Sequence, residues 1–302
     1  MTTQPRHLLT LNDLGANGIR RVIERALADK RAGTSHQSPP LPGRSLAMLF
    51  EKASTRTRVS FEAGMTQLGG HAIFLSPADT QVGRGESAGD TARTLSRMVD
   101  AVMIRNHDHD VLENFAAAAT VPVINGLTDR AHPCQLLADM LTLTEHCGDL
   151  AGRTVAWIGD DNNMCRSYMT AARLANFNLR IATPPGYQPD PASVEAAGDV
   201  VTLCNSAAEA ARGADVVTTD VWASMGDEAE YQKRLAEFGG FQVDNAVMTE
   251  AKADALFMHC LPAHRDEEVA AAVIDGPQSV VWDQAENRLH AQKALLLELL
   301  AD

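Results

Sequence analysis

Short apolar runs alternate with longer amphipathic stretches along almost the whole chain, and this alternation limits the fold more than any other feature. The runs at 45–50, 71–75, 98–104 and 121–124 in the first half are rich in Val, Ile, Leu and Met. So are those at 154–158, 178–182, 200–203, 214–218, 256–259 and 279–282 in the second. Continuous rather than alternating apolar strands are covered on both faces, as in parallel sheets. Parallel strands need long crossovers, which the amphipathic stretches supply as helices. The expectation is an α/β chain with two doubly wound parallel-sheet domains bridged by helices.

Helix signals fill the gaps. Phe61, Met65 and Leu68 share one stripe that Gly69-Gly70 ends. Leu136, Leu137, Met140 and Leu141 mark another stripe, from Cys134 to Glu145, closed by Gly148-Asp149. A domain boundary is expected near 135–150, with 1–140 as the first domain and 141–287 as the second. The C-terminal helix, 288–302, is expected to pack back on the first. Proline-rich segments at 36–43 and 183–191 read as connectors, and no internal repeat is evident.

A chain of 302 residues has room for two domains of about 150. No run approaches the roughly 18 apolar residues of a membrane span. The first ten residues carry no apolar signal core, so the protein is expected in the cytoplasm, without a membrane partner. The net charge of −13 argues against a nucleic-acid partner, and any anion site must be built from local cations. Five cysteines, an odd number with no CxxC, argue against a disulfide framework or structural zinc.

Such cations gather after the first run, in Ser54-Thr55-Arg56-Thr57-Arg58. A helix beginning there offers unpaired backbone N–H groups and a positive dipole end. The hydroxyls add donors, and the arginines add planar charge matched to phosphate oxygens. The cluster lacks the glycines and the Lys-Ser/Thr ending of a Walker loop. A plain helix cap with solvated arginines is the structural alternative. In open α/β sheets, ligands bind beyond the strand carboxyl ends. Gln81, Arg105, His132 and Gln135 also follow first-half strands.

Ser54–Arg58 and His132-Pro133-Cys134-Gln135 together resemble the paired signatures of the aspartate/ornithine carbamoyltransferase family. The resemblance runs from about Leu46 to Arg288 and is close over Phe50–Glu62. It implies that Ser54, Thr55, Arg56, Thr57, Arg58, Arg105, His132 and Gln135 bind carbamoyl phosphate, with Arg105 and His132 on the carbamoyl oxygen. It implies the same ligand for Gln81, on a loop that family trimers lend to a neighbouring subunit, and for Arg288 in Glu286-Asn287-Arg288. A homotrimer, or a multiple of trimers, is therefore the expected assembly.

The second half carries polar groups at strand ends too. Asp220-Val221-Trp222-Ala223-Ser224-Met225-Gly226 and His259-Cys260-Leu261-Pro262 resemble segments of the ornithine-specific branch of the family. They imply L-ornithine as acceptor, L-citrulline and phosphate as products, and a place in arginine metabolism. Asp220 would take the α-ammonium, while Asn163 and the Ser224-Met225 backbone take the α-carboxylate. Cys260 would lie beside the δ-amine, as catalytic residue with Arg105 and His132. The Cys260 and Leu261 carbonyls would position the amine and the carbamoyl nitrogen. A lone cysteine at a strand end also fits a small buried hydrophobe. No cofactor or metal is implied. His259, Cys260 and His264 could suggest a metal, but adjacent strand residues face opposite sides.

Three other readings are weighed. A nicotinamide dehydrogenase would need the G-x-G-x-x-G fingerprint, absent from Gly159-Asp160-Asp161-Asn162-Asn163-Met164. A non-enzymatic binding protein would be expected to have lost part of the site. A carbamoyltransferase for putrescine or an acylated ornithine would have less use for Asp220.

Overall fold

The computed structural model describes residues 6–33, 39–79, 85–223 and 230–300. Gln81, Ser224 and Met225 lie outside them. The chain divides into two units, Met1–Leu141 with Glu286–Asp302, and Thr142–Ala285. Each carries one wholly parallel sheet with helices, as the run pattern requires.

In the first unit, α1 (Gly15–Ala32) precedes β1 (Ser45–Phe50), α2 (Thr55–Gln67), β2 (His71–Leu75), α3 (Ala88–Leu95), β3 (Ala101–Arg105), α4 (His109–Ala118), β4 (Val123–Leu127) and α5 (Pro133–Cys147). The strand order is β2-β1-β3-β4. Alternation along β3 turns Val102 and Ile104 to the face where Ala92 of α3 and Leu112 and Phe115 of α4 pack, leaving Met103 and Arg105 to the other. Helix α2 buries Phe61 and Met65 and ends before Gly69, whose φ is +85°. A Cβ on Gly69 would sit 2.3 Å from that of Pro39, so only glycine fits this turn.

The second unit continues with β5 (Thr154–Ile158), α6 (Asn163–Ala175), β6 (Asn178–Ala182), α7 (Pro191–Ala197), β7 (Val201–Cys204), α8 (Ala207–Ala211), β8 (Val216–Thr219), α9 (Tyr231–Phe238), α10 (Asn245–Glu250), β9 (Leu256–His259), α11 (Ala271–Ile274) and α12 (Val281–Leu300). Its order is β7-β6-β5-β8-β9. Ala156, Ile158, Val217 and Phe257 build one core with Val273 and Val281. Trp157 packs against Tyr168 of α6, ring centroids 5.6 Å apart. The chain passes between the units inside α5 and inside α12.

One expected strand is absent. Residues 279–282 contribute a single bridge, Ser279 to Phe257, and then enter α12 at Val281. The main chain at 278–280 brackets Phe257, whose N–H donates to Gln278 and whose carbonyl accepts from Val280. The terminal helix thus starts earlier than the expected 288–302. No helix among the described residues is long and apolar enough to cross a membrane.

Candidate functional site

Each sheet reverses its strand order once, between β1 and β3 in the first unit and between β5 and β8 in the second. The carboxyl ends at such switch points are where doubly wound sheets bind ligands. At the first, Phe50 pairs with Arg105. A bulge shifts the β3–β4 register, so Ile104 faces Asn125 and Arg105 faces Leu127. Gly126 is the extra residue between these two pairs, and a Cβ there would press on the Met103 sulfur at 2.4 Å and the Ile104 carbonyl at 3.2 Å. Bulges of this kind re-aim a side chain at a strand end. A cavity of about 220 Å³ opens here, lined in part by Phe50, Glu51, Arg105 and Asn106.

Helix α2 begins where the sequence places it. Ser54 is its N-cap, its hydroxyl accepting from the Thr57 N–H at 3.3 Å, a role worth about 1 kcal/mol. Thr57 is buried, and its Oγ accepts from Arg288 Nη2 at 3.1 Å. Arg288 Nη1 donates to Gln135 Oε1 at 2.5 Å, and Gln135 Nε2 donates to Asp139 at 2.8 Å. Ser54, Thr57, Gln135 and Arg288 therefore form one hydrogen-bonded group.

His132 stands immediately before Pro133, a favoured first helical residue, and its carbonyl accepts from the Gln135 and Leu136 N–H groups. Its pKa falls well below the usual histidine value, first through burial, then through the charges of Arg288, Arg105 and Arg56. The imidazole is therefore neutral near pH 7, and the three arginines act on it together. Thr55 is exposed at the helix start. Arg58 is directed elsewhere than Thr57, pairing with Glu62 at 2.9 Å and lying 3.8 Å over the Phe74 ring. Burial pushes the Cys134 thiol up to about 12, so it is an inert donor to the Asn125 carbonyl at 3.3 Å.

At the second switch point, Asp220 is buried just past β8. Its Oδ1 accepts from Cys260 Sγ at 3.1 Å and from the Val221 N–H at 2.9 Å. Its Oδ2 accepts from Asn162 Nδ2 at 2.8 Å. Asn163, expected at the α-carboxylate, is the first residue of α6. The contact with Asp220 is made by Asn162, whose Oδ1 also caps α6 through the Met164 and Cys165 N–H groups. An Asn directly before a helical stripe was the signal for it.

Cys260 and Leu261 are set by a fully buried pair. His259 Nε2 lies 3.2 Å from Glu268 Oε1, which also accepts from the His264 N–H at 2.6 Å. His259 Nδ1 accepts from the Leu261 N–H at 2.9 Å, leaving the ring proton on Nε2. That bond holds Leu261 at φ +58°, uncommon for a branched residue. Donor atoms of Asp220, His259 and Cys260 fall within 4.8 Å of one another, closer than strand alternation suggested, because Cys260 lies just beyond β9. Both His259 ring nitrogens are already engaged in the bonds just described.

The first site thus gathers a helix N-terminus, hydroxyls and cations around a neutral imidazole, a setting for a phosphorylated anion. The second presents a carboxylate held by a thiol and a carboxamide, a setting for an ammonium group.

The carbamoyl-P binding domain of aspartate/ornithine carbamoyltransferases matches residues 6–145, and the Asp/Orn binding domain of the same family matches 151–299. An ornithine carbamoyltransferase of Methylococcus capsulatus is 61% identical over 297 residues, 98% of this chain and 99% of the relative. One from Halorhodospira halophila is 62% identical over 294 residues, 96% of this chain and 97% of the relative. The ornithine carbamoyltransferase structure from Burkholderia thailandensis superposes with a TM-score of 0.91 at 51% identity, covering 98% of this chain and 99% of that one. The Pyrococcus furiosus structure gives 0.93 at 48%, covering 99% and 98%. With both domains matched across nearly its full length, the chain belongs to the aspartate/ornithine carbamoyltransferase family of enzymes.

Proposed function

We propose that this protein transfers the carbamoyl group of carbamoyl phosphate to the δ-amine of L-ornithine, giving L-citrulline and phosphate. The observation that carries the reading is the cationic group around neutral His132, with Arg288 bonded to Thr57 and Gln135. Ser54, Thr55, Arg56, Thr57 and Arg288 hold the phosphate, and Gln135 helps to fix the donor. The neutral δ-amine attacks the carbamoyl carbon. As the N–C bond forms, charge grows on the carbamoyl oxygen, where Arg105 and an N–H of neutral His132 stabilise it as in an oxyanion hole. Collapse breaks the C–O bond to phosphate, and the proton of the attacking nitrogen passes to the departing phosphate. Asp220 binds the α-ammonium of ornithine, and Cys260 orients the δ-amine. Asn163, Ser224 and Met225 receive the α-carboxylate.

The assembly that fits is a homotrimer with Gln81 lent to a neighbouring subunit. The open edge of β2 and exposed Val59 and Ile73 support an interface there. The setting is the cytoplasm and arginine metabolism. A carbamoyltransferase for an acceptor without an α-ammonium would bury the Asp220 carboxylate to little purpose. Incubation with carbamoyl phosphate and ornithine tests the reading. Citrulline and phosphate appear in equal amounts if it holds, and phosphate without citrulline overturns it.

A further inference from the structure

One turn beyond Arg288 on α12 stands Gln292, which belongs to none of the sequence motifs and is wholly buried. Its carboxamide is satisfied at both ends in one orientation. Nε2 donates to Ser60 Oγ at 2.5 Å, and Oε1 accepts from Arg288 Nε at 3.3 Å and Nη2 at 3.2 Å. Ser60 Oγ in turn donates to the Arg56 carbonyl at 2.7 Å. The Arg288 guanidinium is thus tied to the first turn of α2 by two routes. One is direct, through Thr57 Oγ. The other runs through Gln292 and Ser60 to the carbonyl of Arg56, inside the proposed phosphate cradle.

The chemistry of this partner matters. A carboxylate at the same place would hold the guanidinium as firmly, but would cancel its charge. A carboxamide oxygen accepts the same two N–H bonds and leaves the charge in force. Gln135 and Thr57 are neutral acceptors as well.

We propose that Gln292 is a positioning residue for anion binding. Anchored by Ser60, it fixes the plane of Arg288 against the start of α2 and, being neutral, does not cancel the charge that attracts the phosphate of the donor. The proposal rests on the reading of Arg288 as a phosphate ligand.

Calorimetric titration with inorganic phosphate and with carbamoyl phosphate tests it, together with ornithine KM and Tm. Gln292→Met keeps the length and removes the bonds, and should weaken both anions about tenfold. Gln292→Glu should weaken them about a hundredfold, because a carboxylate then pairs with Arg288. Ser60→Ala, which leaves Gln292 in place without its anchor, should cost about threefold and decides the matter if the Gln292 variants do not fold. Ornithine KM should stay within about twofold throughout, since the bonds lost serve the anion. A packing role alone would lower Tm and leave both anion affinities unchanged in Gln292→Met, Gln292→Glu and Ser60→Ala, which overturns the proposal. Arg288→Gln separates the premise. If it leaves phosphate affinity unchanged, Arg288 is not a phosphate ligand. If it weakens phosphate while the Gln292 and Ser60 variants do not, the positioning role fails and the ligand role stands.

Discussion

Asp220 and Cys260 are joined by a hydrogen bond of 3.1 Å in which the thiol is the donor. The carboxylate is held on its other side by Asn162 at 2.8 Å. A thiol that donates to a carboxylate is protonated, so Cys260 suits orientation of an amine better than its deprotonation. The charge available to an ammonium group at this strand end is that of Asp220.

Replacing Asp220 by Asn keeps the shape and removes that charge. Ornithine KM should rise about 10- to 100-fold, the worth of a hydrogen bond to a charged group. Carbamoyl phosphate affinity should change little. Saturation kinetics in each substrate read this directly, and equal losses for both substrates would remove Asp220 as the ammonium partner.

Arg105 sits at the end of β3, past a bulge that sets its direction. Arg105→Gln should reduce turnover about 10²- to 10³-fold, the range for losing one oxyanion donor. Circular dichroism checks that the fold survives. Turnover at the native level would mean that the charge developing on the carbamoyl oxygen is stabilised elsewhere.

The neutral state of His132 has a consequence for acid stability. Its folded pKa is depressed by burial and by three arginines, while the unfolded chain titrates near 6.5. Below pH 6.5 the unfolded state binds a proton that the native state refuses, so stability falls with acid by up to about 1.4 kcal/mol per pH unit from this group. Above pH 6.5 the effect vanishes. Urea unfolding of the native protein and of His132→Asn between pH 5 and 7.5 should show the variant losing about one proton's worth of slope. Parallel stability curves would show that His132 takes up its proton as readily in the folded chain as in the unfolded one, and so is not held neutral by its surroundings.

The strands could be read directly where an apolar run lay between clear breakers. Ser45–Phe50, His71–Leu75, Thr154–Ile158, Asn178–Ala182 and Leu256–His259 all form at the expected residues. The run at 279–282 failed because a short apolar stretch has no period that separates a strand from the buried first turn of a helix. Here the backbone joins Phe257 for one bridge and then coils into α12. Local patterns also placed Ser54 at a helix start and Arg105 at a strand end. The bond from Cys260 to Asp220 was not legible, because it joins the ends of two strands 40 positions apart. Nor was the partnership of Gln292 with Ser60, since one polar residue among many in a mixed helix gives no sign of what it faces.

Asn162 carries two roles that one substitution exposes. It caps α6 through two backbone N–H groups and donates to Asp220. Asn162→Ala should cost about 1 to 2 kcal/mol of stability in urea unfolding, as lost N-caps do. Asn162→Asp should restore the cap while setting a second negative charge beside Asp220. It should therefore recover stability without recovering ornithine KM. Recovery of both would make Asn162 a cap alone.

The most direct test of the proposed chemistry is an acceptor comparison at saturating carbamoyl phosphate, measuring kcat/KM for ornithine, putrescine, Nα-acetylornithine and aspartate. The proposed α-ammonium site at Asp220 predicts that ornithine exceeds putrescine and Nα-acetylornithine by at least about a hundredfold, because either one leaves the buried carboxylate without a cation, and that it exceeds aspartate, which has no δ-amine to accept the group. Equal or faster carbamoylation of putrescine, acetylornithine or aspartate would contradict it.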